Sequence, residues 1–137
     1  MINKEHLMSL AIDAAKNAYS PYSCFNVGAA LLCSDGTIYI GSNIENSSYS
    51  ATVCAERVAF FKAVSEGKKD FLAIAIAGGK ESSVGTELCP PCGVCRQVMA
   101  EFCDSEKFLI LLPKKNGFEE YLLSDILPLS FSDKNLK

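Results

Sequence analysis

The sequence predicts an α/β fold in which helices lie on the faces of a partly parallel β-sheet. Two short segments, 71–77 and 108–112, are almost wholly apolar, as is typical of strands that are covered on both faces. A segment with helical character, 92–102, stands between them. A strand–helix–strand unit of this kind places its two strands parallel and packs the helix on the sheet.

A helix and a hairpin are predicted before these strands. Apolar residues recur at helical spacing over 7–18, with Asn3 as a candidate N-cap, so we expect a first helix that ends by Pro21. The β-prone runs 27–32 and 37–40 flank Ser34-Asp35-Gly36, a pattern typical of a hairpin.

Three further helices complete the prediction. One begins near Val53 and ends at Gly67, a residue type that favours the C-terminal cap. Another is opened by Pro91 and ends at Phe102. Ser124 is a candidate cap for a short last helix. The core elements are therefore expected in the order αββαβαβ, followed by a C-terminal tail.

Composition and charge exclude several classes of function. The chain has 137 residues, 49% of them hydrophobic and 21% charged, which fits one globular domain over residues 1–137. Its net charge is −3 and its lysines are scattered, so we expect no nucleic-acid partner. No segment reaches the length of a membrane span. Seven cysteines without a secretory leader indicate a reducing compartment, so we expect a cytoplasmic protein with metal-binding or catalytic cysteines.

Cysteines in two segments form a candidate zinc site. Cys92 and Cys95 have C-x2-C spacing, which puts both sulfurs on one side of a first helical turn, and Cys54 supplies a third thiolate. Three protein ligands leave one position of tetrahedral zinc for water, as in catalytic sites. Both segments lie at expected helix N-termini, where unpaired backbone N–H groups favour thiolate over thiol.

Charged residues beside these cysteines fit hydrolytic chemistry. Glu56 follows Cys54 by two residues, where its carboxylate can take a proton from water on the metal without ligating the metal. Three thiolates exceed the charge of Zn2+, which opposes acidification of that water. Arg57 and Arg96, the only arginines, each adjoin a ligand segment, and a guanidinium that donates to sulfur would withdraw the excess charge.

These motifs resemble those of the small homotetrameric cytidine deaminases. The resemblance rests on Cys-Ala-Glu-Arg at 54–57 and Pro-Cys-Gly-Val-Cys-Arg-Gln at 91–97, which fit the zinc-deaminase signature. It covers roughly residues 10–131, through Ala-Tyr-Ser-Pro-Tyr-Ser at 18–23, Val-Gly-Ala-Ala at 27–30, Asn-Ile-Glu-Asn at 43–46 and Ile-Leu-Pro at 126–128. Ser47 and Val94 depart from the family pattern, which bears on how tight the pocket is.

The resemblance implies a three-layer α-β-α fold with a central mixed sheet. It also implies hydrolytic deamination of cytidine and deoxycytidine to uridine and deoxyuridine plus ammonia, by zinc-activated water, in pyrimidine salvage. The partners would be a small nucleoside substrate and further copies of the chain, in a homotetramer with shared active sites.

The resemblance implies a role for each site residue. Cys54, Cys92 and Cys95 would bind Zn2+, and Glu56 would move protons. The other implied residues are Phe25, stacked on the pyrimidine; Asn43 and Glu45, bound to the ribose; Ala55, whose backbone holds the base; and Tyr49 and Phe131, which complete a neighbouring subunit's pocket.

Other interpretations are open at this point. A non-catalytic zinc module would require a fourth protein ligand, for which Cys89 is the candidate, but it has no use for Glu56. A blasticidin-type deaminase would share the fold and the motifs, although Asn43, Glu45 and Arg57 favour cytidine. An iron–sulfur site built on Cys89 would need a further cysteine in a set place.

The remaining cysteines and the single histidine have simpler interpretations. Cys24, Cys33 and Cys103 fit small apolar core residues. His6 lies on the first helix, far in sequence from the candidate site, and fits a surface position.

Overall fold

A mixed five-stranded sheet forms the centre of the protein, in the order β2-β1-β3-β4-β5. The computed structural model describes residues 2–137. Strands β3 and β4 run parallel, and the other neighbouring pairs are antiparallel. The strands are β1 (Asn26–Cys33), β2 (Ile38–Ser42), β3 (Phe71–Gly79), β4 (Leu109–Lys114) and β5 (Gly117–Leu122).

Helices cover both faces of this sheet. They are α1 (Lys4–Ala14), α2 (Ala55–Ser65), α3 (Gly93–Phe102) and α4 (Leu123–Ile126). Buried residues of α1 pack on one face, and those of α2, α3 and α4 pack on the other. The prediction of a three-layer α-β-α fold with a central mixed sheet is therefore confirmed.

The alternation of side chains along β3 explains why its sequence is apolar throughout. Ile74 and Ile76 point to the core under α2 and α3, whereas Ala73, Ala75 and Ala77 point to the core under α1. The small alanines leave room for α1 to lie close to the sheet, and the larger isoleucines fill the deeper core on the other side.

Two glycines set the distance between helices and sheet. A Cβ at Gly28 would lie 2.0 Å from the carbonyl oxygen of Ala11 in α1. A Cβ at Gly41 would lie 2.4 Å from the carbonyl oxygen of Ala55 in α2. Both contacts are with backbone, which cannot move aside, so these positions accept no side chain. The contact at Gly41 is with the first residue of α2.

Several local predictions are confirmed. The Asn3 side chain caps α1 by accepting the N–H of His6 at 3.1 Å, and His6 is exposed. The hairpin between β1 and β2 is antiparallel, with Gly36 at a φ of 92° in its turn. Gly67, with a φ of 91°, follows the end of α2. Helix α1 ends earlier than expected, because a short 3₁₀ turn, Ala15–Asn17, follows it well before Pro21.

Three local predictions are wrong. Strand β5 is missing from the predicted order, because its exposed glutamates hide the strand pattern. Ser124 does not cap α4; instead the Asp125 carboxylate accepts the Leu122 N–H at 2.9 Å. Cys24 is exposed and has a φ of 57°, so it is no core residue, whereas Cys33 is buried and Cys103 packs partly buried against the core.

No helix within residues 2–137 has both the length and the apolar character needed to cross a membrane.

Candidate active site and metal centre

The first turns of α2 and α3 bring the predicted ligand segments together. Cys54 is the N-cap of α2 and Cys92 is the N-cap of α3, both with extended backbone. Neither thiol caps its own helix, so each sulfur is free to turn outward. The two sulfurs lie 3.6 Å apart although 38 positions separate them in the chain. Two positive helix ends therefore face one cluster of sulfur atoms.

The three predicted cysteines form a cluster with dimensions that suit zinc. The Sγ atoms of Cys92 and Cys95 are 3.5 Å apart, and all three sulfurs lie within 4.8 Å of one another. Tetrahedral zinc with Zn–S bonds of about 2.3 Å holds neighbouring sulfurs about 3.8 Å apart. The donor set and its spacing therefore fit Zn2+.

Cys89 does not belong to this cluster. Within residues 2–137, the group of side chains able to hold one ion consists of Cys54, Cys92 and Cys95 alone. Burial raises the pKa of the Cys89 thiol to about 11, so it stays neutral at physiological pH. The clustered side chains therefore do not form a closed structural site with four cysteine ligands. Three ligands leave a position open, as catalytic zinc requires.

Arg57 supports the negative charge on Cys54. Its Nη2 lies 3.5 Å from the Cys54 sulfur, one helical turn away on α2. Hydrogen bonds from Cys95, Arg57 and Cys92 lower the pKa of Cys54, against the opposing effect of burial. The Arg57 Nε is buried and has no hydrogen-bond partner within residues 2–137. The guanidinium therefore contacts the cluster through Nη2 and not through Nε.

Arg96 also lies at a ligand segment, but it contacts backbone where a sulfur contact was expected. Its Nε donates to the Pro91 carbonyl at 2.9 Å, and its Nη1 donates to the Ile126 carbonyl at 2.7 Å. These bonds tie the start of α3 to the end of α4. Arg96 therefore fixes the segment that carries Cys92 and Cys95.

Glu56 is a buried carboxylate in the first turn of α2. Only 4% of its surface is exposed. Burial raises its pKa to about 7, and the nearby Cys54 charge adds to this effect. A carboxyl group with a pKa near neutrality can both accept and donate a proton, which is what general acid–base catalysis needs. Ala55, between Cys54 and Glu56, is fully buried.

Asn43 and Glu45 both reach the segment that carries Phe25. The Asn43 amide donates to the Phe25 carbonyl and accepts from the Val27 N–H, each at 2.8 Å. The Glu45 carboxylate accepts the N–H groups of Tyr22 and Ser23 at 2.9 and 3.2 Å, together with the Ser23 hydroxyl. The two side chains therefore hold residues 22–27 in place, a role that the sequence analysis did not assign to them.

An open cleft of about 400 Å3 adjoins Glu45. Phe25, beside this region, is 40% exposed, which leaves part of its ring available to a ligand. Tyr49 and Glu45 in this cleft are predicted site residues. Tyr22 and Ser23 were not predicted, although both belong to the Ser-Pro-Tyr-Ser motif. The lining residues are Tyr22, Ser23, Glu45, Asn46, Tyr49 and Thr52.

Tyr49 and Phe131 are highly exposed for aromatic residues, at 80% and 60%. Phe131 is held beside α3, because Gln97 donates to its carbonyl at 2.7 Å. Large apolar side chains left open in one chain are typical of a surface that meets a partner.

Comparisons with known proteins agree with this geometry. Residues 1–111 match the family model "Cytidine and deoxycytidylate deaminase zinc-binding region". A cytidine deaminase of Sporosarcina psychrophila is 50% identical over 132 residues, covering 96% of this chain and 93% of the relative. A cytidine deaminase of Halalkalibacterium halodurans is 44% identical, covering 98% of each chain.

A solved structure shows the same fold. The crystal structure of cytidine deaminase from Burkholderia pseudomallei superposes with a TM-score of 0.84 at 37% identity, covering 96% of this chain and 100% of that one. The family match spans most of the chain and includes all three clustered cysteines and Glu56. This chain belongs to the family of cytidine and deoxycytidylate deaminases that share this zinc-binding region.

Proposed function

We propose that the protein is a zinc-dependent cytidine deaminase that converts cytidine and deoxycytidine to the uracil nucleosides and ammonia. The observation that carries this proposal is Glu56, a buried carboxylate with a pKa near 7, beside a cluster of three sulfurs that leaves one metal position open. A structural zinc site has no use for such a group. The similarity to relatives named as cytidine deaminases supports the substrate.

Cys54, Cys92 and Cys95 would hold the zinc ion, which would supply the Lewis acidity that makes water nucleophilic near neutral pH. Glu56 takes the two protons of the attacking water in turn and delivers one to ring N3 and the other to the leaving amine. The high pKa of its carboxyl group allows it to serve in both directions at one pH. Arg57 offsets the charge of the thiolates through its contact with Cys54.

The substrate is held by residues outside the sulfur cluster. Phe25 presents a partly exposed ring to the flat pyrimidine, and the backbone of Ala55 holds the base. Asn43 and Glu45 bind the ribose hydroxyls with the hydrogen-bonding capacity that their contacts to residues 22–27 leave open. The same two side chains thus fix Phe25 and recognise the sugar.

The protein forms a homotetramer in the cytoplasm under this proposal. Tyr49 and Phe131 complete the pocket of a neighbouring copy in a homotetramer, and their exposure in the single chain supports this. None of the seven cysteines, all of which lie within residues 2–137, forms a disulfide, which supports a reducing, cytoplasmic location. The uracil nucleosides produced fit a role in pyrimidine salvage.

The direct test is ultraviolet-monitored turnover of cytidine and deoxycytidine by the purified zinc-loaded protein. Glu56→Gln serves as the matched control, because it keeps the shape of the side chain and removes its acid–base function. Conversion by the wild type alone supports the proposal. A folded, zinc-loaded wild type that leaves both nucleosides unchanged rejects it, and blasticidin S is then the next substrate to assay.

A further inference from the structure

Three side chains meet over Gly78, near the end of β3. Gly78 pairs with Val27 of β1 across the sheet. A Cβ at Gly78 would lie 2.6 Å from the Cys89 sulfur, 3.0 Å from Val27 Cγ2 and 3.2 Å from Phe25 Cε1. The volume that a side chain would take at this position is therefore filled by the Cys89 thiol, the Val27 side chain and the edge of the Phe25 ring.

This contact shows what the Cys89 side chain packs against. Cys89 is partly buried and lies outside the sulfur cluster that suits zinc. Its sulfur packs on the bare backbone of Gly78, where the edge of the Phe25 ring also lies. Contacts between sulfur and the edge of an aromatic ring are favourable.

The backbone and the ring of Phe25 are fixed by different groups. The Asn43 amide holds the backbone, through the Phe25 carbonyl and the Val27 N–H. That clamp does not determine the tilt of the ring about its side-chain torsions. The Cys89 sulfur and the space over Gly78 lie where they can determine it.

We propose that Cys89 and Gly78 are positioning residues that set the orientation of the Phe25 ring for stacking on the substrate base. This inference rests on the proposed function, in which Phe25 is the platform for the pyrimidine. Because the ring stacks on the base before and during the reaction, a change in its tilt weakens ground state and transition state alike. The effect then appears in KM and leaves kcat nearly unchanged.

The test is a double-mutant cycle in which position 78 gains a methyl group and position 89 loses its sulfur. Gly78→Ala adds a methyl group where the Cys89 sulfur and the Phe25 ring lie, so we expect KM for cytidine to rise about 3- to 10-fold, the scale of one aromatic contact. Cys89→Ala removes the support and raises KM by a similar or smaller factor. In the double variant, the new methyl group occupies space that the sulfur has vacated, so KM returns toward the wild-type value.

The outcomes separate positioning from general damage. A KM in the double variant closer to wild type than in either single variant, with kcat within about twofold, supports the inference. Multiplying effects on KM, or an unchanged KM in all three variants, overturns it. Cys33→Ala is the matched control, because Cys33 is a buried cysteine at the far end of β1. This substitution should lower the melting temperature without changing KM.

Melting temperatures of the same zinc-loaded proteins give a readout that does not depend on turnover. The double variant should melt above Gly78→Ala, because the sulfur that opposes the new methyl group is gone. If the wild type does not convert cytidine, the proposed function fails, while the melting cycle still decides whether the two positions are packed against each other. Additive changes in melting temperature would overturn the packing on which the inference depends.

Discussion

The guanidinium of Arg57 donates to the sulfur of Cys54, with 3.5 Å between Nη2 and Sγ. The two residues lie three positions apart across the start of α2, so the cation is carried by the same helical turn as the thiolate. Removing charge from a ligand sulfur leaves the metal a stronger Lewis acid. The contact therefore links a positive side chain to the reactivity of a site that is rich in negative sulfur.

Loss of this cation should impair the metal site and leave the substrate pocket intact. We expect Arg57→Ala to lower kcat by about 10- to 100-fold, the usual range for a group that hydrogen-bonds a metal ligand. The pH–rate profile should move to higher pH, because the more negative site acidifies water less. Lys62→Ala is the control, since it removes a cation from the same helix away from the sulfurs. An unchanged pH–rate profile for Arg57→Ala would contradict the assignment.

Substitution of Glu56 should separate metal binding from catalysis. We expect Glu56→Gln to bind zinc as the wild type does and to lose at least about 100-fold in kcat, because general acid–base catalysis is gone. Zinc content per chain and steady-state turnover are the two measurements. Turnover close to that of the wild type would refute the role of Glu56.

Zinc stoichiometry should distinguish Cys92 from Cys89. Cys92→Ala removes one of the three clustered sulfurs, so the purified protein should carry far less than one zinc per chain. Cys89→Ala should retain about one zinc per chain, because its sulfur lies outside the cluster. Metal analysis of both variants, prepared in parallel, checks the prediction. Loss of zinc from Cys89→Ala would instead indicate a closed structural site.

Mixed assemblies should reveal shared active sites. In the proposed assembly, one pocket combines Glu56 of one copy with Phe131 of a neighbouring copy. A mixture of Phe131→Ala and Glu56→Gln chains can therefore form some pockets in which both residues are intact. Unfolding and refolding the two variants together should then give more activity than the sum of the two refolded separately. No gain in a mixture that has formed hybrid assemblies would show that each chain builds its own site.

The close packing of α1 on β1 should make Gly28 intolerant of any side chain. A Cβ there would lie 2.0 Å from the Ala11 carbonyl oxygen and 2.4 Å from the Ala15 nitrogen. We expect Gly28→Ala to lower the free energy of unfolding by at least about 3 kcal/mol, at the upper end for overpacking. Gly93→Ala, where a Cβ meets open space, should change it by less than about 0.5 kcal/mol. Urea unfolding of the metal-free variants measures both.

The sequence carried a strong signal wherever structure depends on neighbouring residues. The helical spacing after Asn3, the apolar run of β3 and the turn at Gly36 each reflect local geometry, and each is present in the structure. Strand β5 was not predicted, because Glu119 and Glu120 interrupt its apolar pattern. Such charges are typical of an edge strand, whose free edge they protect from pairing with other chains. The Asn-Gly pair at 116–117 was the available signal for its hairpin.

The sequence by itself determined the type of chemistry. Cysteines at C-x2-C spacing, a third cysteine followed by Glu56, and two helix starts predict a zinc site with a proton carrier, because ligand type and helical spacing are local properties. Only the tertiary structure decided which groups meet. It placed Cys92 against Cys54, kept Cys89 out of the cluster and turned Asn43 toward the backbone of Phe25. These distances depend on how closely helices approach the sheet at positions such as Gly41, and packing between distant segments leaves no periodic mark in the sequence.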